Sequence, residues 1–79
     1  MASDRTSSLR FDRIFGEHYE PVSRYCHRRL PPDDANDATA EVFVVAWKKI
    51  EDVPRGDDEL PWLYGVARNE VRRMRRSSR

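Results

Sequence analysis

Apolar residues recur at three- and four-residue spacing along most of the chain, which is the period of an amphipathic α-helix. The first such stretch predicts a helix over about residues 9–30. Its apolar positions are Phe11, Ile14, Phe15, Tyr19, Val22, Tyr25, Cys26 and Leu30. Because Pro21 lacks a backbone donor and crowds the preceding turn, we expect a kink or a break near Glu20. The pair Pro31-Pro32 then ends the helix, since residues before proline avoid the helical region.

A second helix is predicted over about residues 35–51. It follows Asp33, Asp34 and Asn36, which offer N-caps and negative charge for its first turn. Its buried stripe is expected at Ala35, Ala38, Thr39, Val42, Phe43, Ala46 and Ile50, with Trp47 at the edge. The two lysines near its end suit the helix dipole.

Residues 51–60 hold a proline, a glycine and five acids without any packing pattern, and they predict a loop. A third helix is predicted over about residues 61–76. Asp58 or Glu59 can cap it, and Pro61 suits its first turn. Its apolar positions are Leu63, Val66, Ala67, Val71 and Met74.

Together these elements predict one small all-α domain over residues 9–79, a three- to four-helix bundle, after a disordered lead-in at residues 1–8. No apolar run approaches the roughly 20 residues that span a bilayer. The N-terminus also lacks an apolar signal core, so we expect a cytoplasmic protein. Cys26 is the single cysteine, and its place on the apolar stripe indicates packing rather than redox sensing.

The charge of the chain is unevenly distributed although the total is only +1. Residues 1–32 carry +2, residues 33–59 carry −6 and residues 60–79 carry +5. An acidic middle and a basic end indicate two partners, or one partner with two kinds of surface. For the basic end a nucleic acid is the first hypothesis, because arginines that contact phosphates release counterions. A solvated helix end favoured by the helix dipole is the alternative.

No constellation for catalysis or for a cofactor assembles in the sequence, so an enzyme is not expected. The glycines are scattered and form no phosphate-binding loop. His18 and His27 are interpreted as ordinary exposed histidines, because their spacing from Cys26 does not complete a metal site. The acids of residues 57–59 are interpreted as a solvated loop. Both tryptophans are more typical of packing anchors than of cofactor contacts.

Three segments in this order carry a specific resemblance to a known family. They are FDRIFGEHYEPVSRYCHRRL at residues 11–30, DANDATAEVFVVAW at residues 34–47, and PWLYGVARN at residues 61–69, which follows an acidic loop and precedes arginines. This combination resembles the second conserved region of the extracytoplasmic-function sigma factors, which are bacterial transcription initiation factors. The resemblance implies the helical bundle of sigma region 2.

For a protein partner, the resemblance implies the clamp helices of the RNA polymerase beta-prime subunit. The family binds them through an Asp and a Glu in a D-L-V-Q-E core, which here reads Asp37-Ala38-Thr39-Ala40-Glu41. Asp37 and Glu41 would be the polymerase-binding residues, and at i and i+4 they point the same way from a helix. Ala38 and Ala40 depart from the family pattern, which implies weaker binding to the clamp.

For DNA, the resemblance implies recognition and opening of the promoter −10 element on its non-template strand. The loop at residues 52–60 would capture a flipped base, and Asn69 would contact DNA. Trp62, Leu63 and Val66 would be scaffold. The arginines assigned mainly to phosphates are Arg68, Arg72, Arg73, Arg75 and Arg76.

Family members also carry a second domain, a helix-turn-helix that reads the −35 element after a linker. This region 4 domain is absent from the chain, which ends at Arg79, so we expect an isolated domain of a longer protein. Two alternatives stay open at this point. One is a protein-interaction module bound by an anti-sigma factor, and the other is an independent helix-turn-helix-like DNA-binding domain.

Overall fold

The computed structural model describes the backbone of residues 2–77 and the side chains of residues 5–77. Within this part of the chain there are three α-helices and no strand, which confirms the predicted all-α bundle. The helices are α1 (Ala2–His27), α2 (Pro32–Lys48) and α3 (Glu59–Ser77), and a short 3₁₀ helix, Gly56–Asp58, leads directly into α3. The tail residues Ser78 and Arg79 lie outside the described part.

Helix α1 runs unbroken through Pro21, so of the kink or break predicted near Glu20 the break is not found. Ile14 before the proline and Val22 after it are both fully buried. Burial on both sides keeps the helix continuous at the cost of one backbone hydrogen bond. The helix also begins at Ala2, earlier than the predicted lead-in allows. Residues 2–8 contain neither glycine nor proline, and extending a helix that has already formed costs little.

Helix α2 begins at Pro32, a first-turn residue, with Pro31 in the N-cap position and no side-chain cap. The prediction of Asp33, Asp34 or Asn36 as N-cap is therefore wrong, because proline already sets the backbone angle that starts the helix. The first-turn negative charge of Asp33 and Asp34 is confirmed. The predicted stripe of α2 is buried, and Trp47 lies half-exposed at its edge.

Helix α2 is central and packs against both other helices. Ala35, Ala38 and Ala46 are fully buried in it, and such small side chains let the neighbouring helices approach closely. The opposing buried side chains are Ile14, Val22 and Cys26 of α1 and Leu63, Ala67 and Val71 of α3. Burial raises the pKa of the Cys26 thiol, which fits a packing role.

The connection between α2 and α3 is more ordered than its composition predicts. A turn follows α2, in which the amides of Asp52 and Val53 donate to the carbonyl of Lys49 at 2.8 and 3.2 Å. Val53 is then buried in the core. Gly56 has a φ of +72°, a left-handed conformation that glycine adopts without strain. Pro61 lies in the first turn of α3, as predicted.

Candidate functional site

The side chains predicted to contact DNA all lie exposed on α3, which buries Leu63, Ala67 and Val71 on its opposite side. We call this surface the arginine face, and it consists of Arg68, Asn69, Arg72, Arg73, Arg75 and Arg76. Its residues from Asn69 onward line, with Glu70, an open groove of about 530 Å³. A helix that buries one side and gathers cations on the other presents them together to a polyanion.

Two arginines of this face already have partners at its borders. Arg73 donates to Glu70 at 2.7 Å, and Arg75 donates to the carbonyl of Arg29, at the end of α1, at 3.2 Å. The hydrogen bond to Glu70 and its charge raise the pKa of Arg73, and Glu41 on α2 adds a smaller contribution. The arginine face therefore reaches the end of α1 through Arg75.

Asp37 and Glu41, the acidic pair, lie one turn apart on α2. Asp37 is exposed and Glu41 is half-buried, so neither is enclosed in the core. No ion pair or hydrogen bond engages Asp37 among the described side chains. Helix α2 packs against α3, and the charge of Glu41 contributes to the raised pKa of Arg73, so Glu41 lies on the part of α2 that is near this arginine.

A third surface lies between α1 and α2, and it contains apolar side chains of α1 that are not buried in the core. Phe15 and Tyr19 belong to the apolar positions predicted for α1, but each is 42% exposed. Their rings lie 5.0 and 5.8 Å from that of Phe43, on the rim of the core. With Phe11, Val44 and Trp47 they form an aromatic patch, which borders an apolar groove of about 490 Å³.

The sequence does contain a pattern that indicates this patch, but it is hard to separate from the pattern of the core residues. Phe11, Phe15 and Tyr19 follow each other at four-residue spacing and form a row on one side of α1. The row that is truly buried begins at Ile14 and continues with Val22 and Cys26. Two parallel rows on one helix look like one broad apolar face when only spacing is considered.

Glu59, at the start of α3, was interpreted as a capping or solvated loop residue, but its side chain is only 3% exposed. Arg13 approaches both carboxylate oxygens, at 2.7 and 3.1 Å. Nε2 of His18 lies 2.7 Å from Oε1 of Glu59. The hydrogen bond from Arg13, with help from His18, lowers the pKa of Glu59 to about 2, although burial opposes this shift.

Arg10 completes this Glu59 cluster of Arg10, Arg13, His18 and Glu59, and it also holds the acidic loop. Its guanidinium lies 3.6 Å from Glu59. It donates to the carbonyls of Ile50 and Val53 at 2.7 and 2.8 Å and to that of Pro54 at 3.1 Å. One buried side chain of α1 thus fixes the backbone of the connection between α2 and α3.

The Glu59 cluster also corrects the interpretation of His18 as an ordinary exposed histidine. Glu17, His18 and Glu59 bring three possible metal ligands within 4.8 Å of one another. Arg13, however, donates to both carboxylates of this group, Glu17 at 2.8 Å and Glu59 at 2.7 Å. Their negative charge is already balanced by a guanidinium, so the geometry favours an internal ion-pair network over a metal centre.

The fold is a small helical bundle that carries an acidic pair on α2 and an arginine face on α3. The family model for Sigma-70 region 2 matches residues 14–79, and the chain therefore belongs to the sigma-70 region 2 family. These domains are non-enzymatic parts of transcription initiation factors, and membership supports roles in RNA polymerase binding and promoter −10 recognition.

No curated protein and no solved structure matches the chain. None of the helices in the described part combines the length and the hydrophobicity that crossing a bilayer requires.

Proposed function

We propose that this chain is the region 2 domain of an extracytoplasmic-function sigma factor. In this proposal the acidic pair binds the beta-prime clamp helices of the polymerase core. The loop between α2 and α3 and the arginine face recognise and open the promoter −10 element on the non-template strand. The role would place the protein in the cytoplasm, at the nucleoid through RNA polymerase.

The observation that carries the proposal is that both charged surfaces are accessible on the same helical bundle. Asp37 is exposed and Glu41 half-buried on α2, while all six residues of the arginine face are exposed on α3. Because α2 packs against α3, a polymerase bound at the acidic pair would hold DNA near the arginines of α3. Arg10 supports the loop in this scheme, since a pocket for a flipped base needs a fixed backbone.

The independent helix-turn-helix alternative fits the structure less well. A helix-turn-helix joins its two helices by a turn of about 3–4 residues. Here α2 ends at Lys48 and α3 begins at Glu59, with a turn and a 3₁₀ helix between them. The aromatic patch favours a further protein partner instead, and we assign it to an anti-sigma factor. Exposed aromatic side chains are enriched at the centres of protein interfaces.

A comparison of single-stranded and duplex DNA tests the promoter function. A −10 element is first selected from a randomised pool with polymerase present. We expect the chain to bind the non-template strand of this element at least about tenfold more tightly than the duplex of the same sequence. The reason is that duplex binding includes a few kcal/mol of unpairing and unstacking. Fluorescence anisotropy on both forms measures the ratio. Equal or tighter duplex binding would favour the helix-turn-helix alternative.

The arginine face should also give a measurable salt dependence. Replacing Arg72 and Arg76 by glutamine is expected to reduce the slope of log affinity against log salt by about 0.7 for each phosphate of single-stranded DNA that the variant no longer neutralises. The control is Arg5→Gln, which removes an exposed cation from the distant start of α1 and should leave the slope unchanged. An unchanged slope in the Arg72 and Arg76 variant would remove these two residues from the DNA interface.

A further inference from the structure

A second basic surface, which the sequence did not single out, lies between the end of α1 and α3. The rings of Tyr25 and Tyr64 meet there with their centroids 5.6 Å apart, and both side chains are half-buried. They border an open pocket of about 480 Å³. Its lining, the tyrosine pocket, consists of Pro21, Arg24, Tyr25, Arg28, Arg29 and Tyr64, and it includes three arginines and no acid.

The pocket is joined to the arginine face by direct contacts. The Arg29 guanidinium lies 3.7 Å from the centre of the Tyr25 ring, and Arg29 donates to the Tyr25 carbonyl at 3.0 Å. The carbonyl of Arg29 in turn accepts a hydrogen bond from Arg75 of the arginine face. On α3, Arg68 follows Tyr64 by one turn on the same side. Cations therefore continue from α3 across the tyrosines to the end of α1.

We propose that the tyrosine pocket binds single-stranded DNA, taking one unstacked base against the Tyr64 ring, since Arg29 already covers a face of Tyr25, and the flanking phosphates on Arg24 and Arg28. The proposal rests on the proposed function, in which α3 holds the opened promoter strand, and it extends the path of that strand onto α1. This base is a different one from the flipped base that the loop between α2 and α3 would capture, and it lies further along the same strand.

The chemistry of the pocket matches this ligand better than it matches a simple helix end. Cations at the C-terminus of α1 are favoured by the helix dipole, which explains the arginines alone. The dipole does not explain why these arginines line a pocket together with two half-buried aromatic rings. Aromatic rings with arginines around them are the combination that binds unpaired bases, since the rings stack on a base of any sequence and the guanidinium groups contact the backbone.

Duplex DNA does not offer the same contact. Its bases are stacked on each other, so their faces cannot reach Tyr25 or Tyr64, and only its phosphates could meet the arginines. The pocket should therefore discriminate between strands that are open and strands that are paired. This is the selectivity that a surface beside an opened promoter requires.

The experiment measures binding of the full chain to oligothymidine of 12 nucleotides by fluorescence anisotropy, because stacking on aromatic rings tolerates any base. Tyr64→Leu keeps apolar volume but removes the ring face, and it is expected to weaken binding by about tenfold, within the range for one stacked base. Tyr64→Phe keeps the ring and should retain wild-type affinity. Replacing Arg24 and Arg28 by glutamine should reduce the salt slope by about 1.4, two phosphate contacts on a single strand.

The charge control replaces Arg5 and Lys49 by glutamine. Both are exposed cations outside the pocket, so the slope of log affinity against log salt should stay unchanged. Thermal unfolding of each variant, followed by circular dichroism, verifies that the fold is intact. If Tyr64→Leu and the Arg24 and Arg28 variant bind as the wild type does, the pocket proposal is overturned while the proposed function stands. If the wild type binds neither oligothymidine nor the polymerase clamp, both are overturned. Tighter binding to oligouridine of equal length would overturn the assignment to DNA.

Discussion

Replacing Glu59 by glutamine is expected to destabilise the domain by about 3 kcal/mol at neutral pH. The substitution keeps the size of the side chain but removes the charge that balances Arg13 and the buried Arg10. Breaking a buried ion pair by removing one partner typically costs about 3–5 kcal/mol. We expect about 3 kcal/mol, the lower end of that range, because Arg10 stays nearly buried while Arg13 is 45% exposed and keeps Glu17. Small domains have only about 5–15 kcal/mol of stability, so the loss is large.

Urea unfolding followed by circular dichroism measures this change. The matched control is Glu17→Gln, which also removes a carboxylate that accepts from Arg13, but one that is 55% exposed. Exposed ion pairs contribute about 0–1 kcal/mol, so this variant should stay close to the wild type. If the two variants lose equal stability, the burial of Glu59 does not govern the strength of the cluster.

The pH dependence of stability should report the same cluster. The pKa of Glu59 is lowered from 4.5 to about 2 in the folded state, so the unfolded chain binds a proton more readily. The stabilisation is then fully present above about pH 5 and is lost as the pH falls towards 2, by about 3 kcal/mol in total. The difference in free energy of unfolding between the wild type and Glu59→Gln should become smaller as the pH falls from about 5 to 2. A constant difference from pH 7 to pH 2 would contradict the assignment.

Much of the fold could be predicted from the sequence because its helices follow local rules. The apolar spacing of α2 located its buried side, from Ala35 to Ala46, and Pro61 marked the start of α3. Local rules failed where two of them compete. Pro21 breaks an isolated helix, but Ile14 and Val22 are buried on either side of it and packing prevails.

The candidate site was predictable only as far as it depends on single helices. The residues of the arginine face and of the acidic pair came from the family resemblance, and each set lies on one helix, so the spacing was enough to predict that its members lie together. The Glu59 cluster joins residues 46 positions apart, and the tyrosine pocket joins α1 to α3. Spacing within one helix gives no information on such pairs, because the packing of the whole chain decides them. From the sequence, Glu59 is therefore indistinguishable from the other acids of the loop, which are interpreted as solvated.

Reversing the charge of Asp37 and neutralising Glu41 is expected to weaken binding to the polymerase clamp by about 30- to 100-fold, equivalent to roughly 2–3 kcal/mol. In the proposed function these carboxylates meet a basic partner surface, and Asp37→Lys replaces attraction by repulsion. Glu41 is changed to glutamine because a lysine there would repel Arg73, on which Glu41 acts. Anisotropy with a labelled clamp-helix fragment of the beta-prime subunit measures the change.

The same variant distinguishes the acidic pair from the arginine face. Binding of single-stranded −10 DNA should not weaken, and removing negative charge beside Arg73 can only strengthen it. The matched control carries Glu51→Lys and Glu17→Gln, the same change of charge at exposed positions away from the acidic pair, and it should bind the clamp as the wild type does. Equal loss of clamp binding in both variants would mean that net charge, rather than Asp37 and Glu41, attracts the polymerase. Loss of clamp and DNA binding together, with a lower melting temperature, would instead reveal that α2 needs these carboxylates to fold.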